Sequence, residues 1–68
     1  MTLRGWTSDG RPIEVVLHWT GELLEVRCPA LPELHGLEIE GPNEEWAIKD
    51  AEPLVRARLR ALRVSIES

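Results

Sequence analysis

The 68-residue sequence has no tyrosine, phenylalanine or glutamine, and only one asparagine, one lysine and one cysteine. A single cysteine, Cys28, excludes an internal disulfide. His18, Cys28 and His35 are the only soft metal ligands, too few for a histidine–cysteine cluster of three or four. No apolar run exceeds three residues, as at Val15–Leu17. A membrane-spanning helix needs about 20, and no segment has the form of a signal peptide. The expected setting is a reducing cytoplasm, with no membrane partner.

Positive charge is also scarce. Twelve acidic residues against eight basic ones give a net charge of −4. That balance argues against general electrostatic binding of nucleic acid, which needs a basic face, and is compatible with a basic protein partner. Seven of the eight basic residues are arginine. Few thermolabile amides fit a thermophile, and a GC-rich genome accounts for the same bias. The length bounds the chain to one domain, residues 1–68. A chain this short buries only roughly 60% of its unfolded surface, so a homodimer is expected to supplement its stability.

What is present is patterned. Ile13, Val15, Leu17 and Trp19 alternate with Glu14, Val16 and His18, the period of a half-buried strand. Thr20-Gly21 separates this run from 22–28, and pairing Trp19 with Glu22 sets Leu17 against Leu24 and Val15 against Val26. Residues 2–6 alternate weakly, ahead of an Asp9-Gly10 turn. Residues 29–36 form a crossing loop. Leu37 and Ile39 then point inward, with Glu38 and Glu40 outward as on a protected edge. Asn43 can cap a helix whose first turn carries Glu44 and Glu45. Ile48, Ala51, Val55, Leu59 and Leu62 follow as one buried stripe. Pro53 falls inside it, which predicts a kink or two helices meeting at Glu52. The tail, 64–68, returns as a last strand or frays. The fold class is α+β: an antiparallel sheet of three or four strands, covered on one face by one kinked helix.

Chemistry is harder to find. His18 and Cys28 fall on opposite strand faces. Gly36 and Gly41 flank a strand and do not form a phosphate-binding loop. Glu33, Glu38, Glu40, Glu44, Glu45, Asp50 and Glu52 read as a solvated acidic surface, and Ser8, Ser65 and Ser68 lack a histidine arrangement. No catalytic residue, cofactor or metal is assigned. Arg56, Arg60 and Arg63 share a helix face, either as solvated cations near the helix C-terminus or as a contact for RNA or an acidic partner surface. Trp46 lies at the margin of the buried stripe, and tryptophan is favoured at the centre of interfaces. These four residues are the candidate partner contacts.

The stretch PELHGLEIEGPNEEWAIKDA resembles the central signature of HicB-like proteins, the antitoxin side of HicA/HicB toxin–antitoxin pairs. Pro32, Glu33, Leu34, Gly36, Gly41, Asn43, Glu45, Ala47 and Ala51 fall in its register without a gap. His35, Trp46 and Pro53 depart from it. The resemblance covers about residues 12–62. It implies a β-β-β-α domain of the partial RNase H-like kind, without enzymatic activity. It also implies a protein-interaction role, with a small basic RNA-cleaving toxin as partner. The DNA-binding domain that completes such antitoxins has no counterpart here, so DNA binding is not expected. An RNA-associated module using the helix arginines is the alternative.

Overall fold

A computed structural model describes residues 1–34 and 36–67; His35 and Ser68, each weighed above as a site residue, lie outside them. Strands β1 (Thr2–Trp6), β2 (Pro12–Trp19) and β3 (Leu23–Arg27) come first. A single 3₁₀ turn at Pro32–Leu34 precedes β4 (Glu38–Glu40), helix α1 (Glu44–Ala61) and β5 (Ser65–Ile66). One antiparallel sheet runs in the order β4-β3-β2-β1-β5. The class is α+β, but the sheet has five strands, not three or four. β1 pairs along its whole length with β2, and its other edge takes the tail as β5: Trp6 lies opposite Ser65, and the Glu67 amide donates to the Arg4 carbonyl at 2.8 Å.

The alternation in β2 holds along its length. Ile13, Val15 and Leu17 are buried, while Glu14, Val16 and His18 are exposed. Its pairing with β3 is offset by two residues from the expected register: Leu17 faces Val26 and Trp19 faces Leu24. The Thr20 amide donates to the Leu23 carbonyl at 2.9 Å, so Gly21 and Glu22 make the turn. Gly21 takes φ +104°. That conformation suits glycine and is resisted by β-branched Thr20, so the turn slides to the glycine. A two-residue slip keeps every side chain on its own face, which is why the apolar side survives it.

Leu3, Val15, Leu24, Val26 and Cys28 meet Ala47, Ala51, Val55 and Leu59 of α1 in one core, closed by Leu34 and Val64. Burying each of the larger aliphatic side chains contributes about 1.5–3 kcal/mol. Asn43 Oδ1 accepts the Trp46 amide at 3.0 Å, the expected cap. At the far end the Val64 amide reaches the Leu59 carbonyl at 2.9 Å and the Arg63 amide reaches Arg60 at 3.0 Å. That pair of bonds makes a Schellman ending with Arg63, at φ +60°, in the place usually taken by glycine.

The helix is continuous from Glu44 to Ala61. Neither a division at Glu52 nor a kink at Pro53 is borne out. Lys49 and Pro53 are both exposed, so water can satisfy the carbonyl that proline leaves unbonded. The buried stripe of Ala47, Ala51, Val55 and Leu59 runs on the other side, past the proline.

Candidate functional site

The acidic edge is built by β3, β4 and the loop between them. Period-two alternation sends Glu25 and Arg27 of β3, and Glu38 and Glu40 of β4, to the side of the sheet away from the helix. The ladder then sets Glu25 directly opposite Glu38. Like charges in that position repel, by a few tenths of a kcal/mol up to about 1 kcal/mol. Arg27 answers one of them, with Nη2 donating to Glu25 Oε2 at 2.8 Å. Glu38 has no ion-pair partner among the described residues.

Beside this pair the chain opens a cleft of about 380 Å³. Pro29 and Leu37 are its apolar walls, and Glu25, Arg27 and Glu38 its charged rim. The Val26 amide donates to the Leu37 carbonyl at 3.2 Å and Gly36 turns at φ +87°, which together hold the loop against β3. β4 is the outermost strand on this side, so its far edge is free of the sheet.

The four sequence-derived contact residues do not come together. Trp46 stands in the first turn of α1, 54% exposed, with Lys49 Nζ 5.1 Å from its ring centre. Arg60 stands in the last turn of the helix and Arg63 just past its end, about 21 Å or more away along the axis. Arg56 is half-buried and donates through Nε and Nη2 to Glu52 Oε1, at 3.2 and 3.0 Å. Arg56 and Arg60 line a second groove of about 390 Å³ with Val64, Ser65 and Ile66, under the β5 edge. The two edges of the sheet thus differ in charge, acidic at β4 and arginine-lined at β5.

His18 is exposed and Cys28 is buried, on opposite faces of the sheet as their positions in the alternation imply. Among the described residues no group of three or more histidine, cysteine or acidic side chains is placed to hold a metal. None of the described helices is long and apolar enough to cross a membrane. The facing pair Glu25 and Glu38 escaped sequence reasoning. Each glutamate was legible as outward-pointing, but which strands are neighbours, and in what register, is not written in the alternation.

Comparisons with protein-family models, with curated proteins and with solved structures find no match for this chain.

Proposed function

We propose that this chain is a non-enzymatic protein-interaction module of the HicB antitoxin kind, receiving a small basic protein at its β4 edge. The observation that carries the reading is the opposition of Glu25 and Glu38 at the rim of an apolar-walled cleft. A lysine or arginine entering from a partner would lay its aliphatic stem on Pro29 and Leu37, and bring its charged head between the two carboxylates. It would relieve the repulsion built into the free domain. The open edge of β4 offers main-chain groups for a partner strand beside it. The net charge of −4 favours encounter with a basic protein in general.

The test is affinity capture of the tagged chain from its native lysate, read by mass spectrometry. A small basic protein is expected in fixed stoichiometry, and it should be lost from the Glu25→Gln, Glu38→Gln double variant. Recovery of only the chain's own copies, or capture indifferent to both substitutions, would sink the proposal.

A second reading, association with RNA through Arg56, Arg60 and Arg63, draws on the groove that Arg56 and Arg60 line. It requires binding that weakens steeply with salt. An RNA titration with no salt-sensitive signal removes it.

A further inference from the structure

The outward side of α1 has no cover within the chain. Trp46 is 54% exposed and Leu54 42% exposed, and Ala57 and Ala61 are exposed beyond them. Spacings of 8, 3 and 4 keep these four residues on one side of a helix. Asp50 and Arg58 stand four residues before and after Leu54, both exposed. Neither has an ion-pair partner among the described residues. They are about 12 Å apart along the axis, too far to pair with each other. Glu52 and Arg56 on the same helix, at the ordinary spacing of four, do pair, at 3.0 Å.

We infer that this face receives a second copy of the same chain, with the two α1 helices antiparallel about a two-fold axis at Leu54. That axis sets each position before Leu54 against the position equally far after it. Asp50 of each copy then meets Arg58 of the other, so the two unanswered charges are satisfied twice over. Leu54 meets Leu54. Trp46 lies about 12 Å before the axis and Ala61 about 10.5 Å after it, so each bulky ring falls over a small residue of the other copy. A parallel copy would set Asp50 beside Asp50 and Arg58 beside Arg58, at an electrostatic cost. The contact is isologous and closes at two copies.

The outer face of the sheet is a poorer seat. It carries the ion pairs Arg4–Glu14 and Arg27–Glu25, already closed within the chain. The helix spans about 27 Å and presents a strip about 10–12 Å wide. That is less than the roughly 800 Å² per partner of a standard interface, so the dimer belongs to the weak, concentration-dependent class. The face is distinct from the β4 cleft, so this inference and the proposed function fail separately.

The experiment is sedimentation equilibrium of the full chain over a wide concentration range at low salt, with circular dichroism confirming that each variant is folded. The expected result is a reversible monomer–dimer equilibrium. Asp50→Arg alone and Arg58→Asp alone should each weaken it by about tenfold, because two exposed pairs per dimer become repulsive. The double exchange should bring association back near the original strength, and Ala57→Glu should abolish it. A monomer at every concentration would overturn the inference. So would a larger oligomer, a dimer indifferent to the substitutions, or single losses that the double exchange does not restore.

Discussion

Gly5 and Ser65 approach so closely across the β1–β5 ladder that a methyl group on Gly5 would overlap the Ser65 carbonyl oxygen. The obstacle is backbone, which cannot rotate aside as a side chain would. Gly5→Ala should therefore push β5 off the sheet and destabilise the domain by about 1–3 kcal/mol. Urea denaturation measures the loss. Hydrogen exchange at the Glu67 amide, bonded to Arg4, should accelerate more than exchange at the Thr20 amide in the β2–β3 hairpin.

Arg63 occupies a left-handed position at the end of α1 with φ +60°. An ordinary L-residue there costs about 1–2 kcal/mol relative to glycine. Arg63→Gly should raise the denaturation midpoint, by about 1 kcal/mol once glycine's extra freedom in the unfolded chain is offset. The same variant divides two roles. If Arg63 contacts RNA, the more stable protein binds RNA less well.

Pro53 lies in the middle of an unbroken helix. Pro53→Ala restores a donor for the Lys49 carbonyl and removes the crowding of the ring. Proline in a helix interior costs about 3 kcal/mol, and the entropy that proline removes from the unfolded chain returns about 0.4–1 kcal/mol. A net gain of about 2 kcal/mol is expected, readable as a higher melting temperature. No change would mean that the helix has already relaxed around the ring.

The Asp9 carboxyl is held below its ordinary value of 3.8, first by the Thr7 hydroxyl that donates to it and then by the Arg11 guanidinium beside it. A lowered folded value stabilises the native state above the unfolded value, and this contribution is lost as the pH falls through the folded one. The effect is small at so exposed a turn. A carbon-detected NMR titration should give Asp9 a midpoint below the ordinary aspartate value of 3.8. Thr7→Val should move it upward.

The sequence spoke most clearly where one physical requirement acted alone. The alternation from Ile13 to Trp19 reports a single buried face. Asn43 before two glutamates reports a cap, and the glutamates at 38 and 40 report an edge. It spoke less clearly where two requirements competed. The register of the first long hairpin depends on whether Thr20 or Gly21 takes the positive φ, and the alternation is the same either way. Pro53 opposed a buried stripe, and packing by Ala51, Val55 and Leu59 prevailed because the proline sits on the watered side. The facing of Glu25 and Glu38, on which the proposed function rests, arises from a strand pairing that no local pattern records.

The ladder between β1 and β5 has a bearing on how the domain forms. It joins Trp6 to Ser65, across nearly the whole chain. The β1–β2 and β2–β3 hairpins close over short loops and can form within microseconds. The β1–β5 contact must wait until the helix has docked and carried the tail back across the sheet. During synthesis β1 is made well before β5, so the edge of β1 that β5 will cover stays open in the interval. Folding should end at the β1–β5 ladder, and that edge is where a nascent copy is most exposed to pairing with the wrong strand.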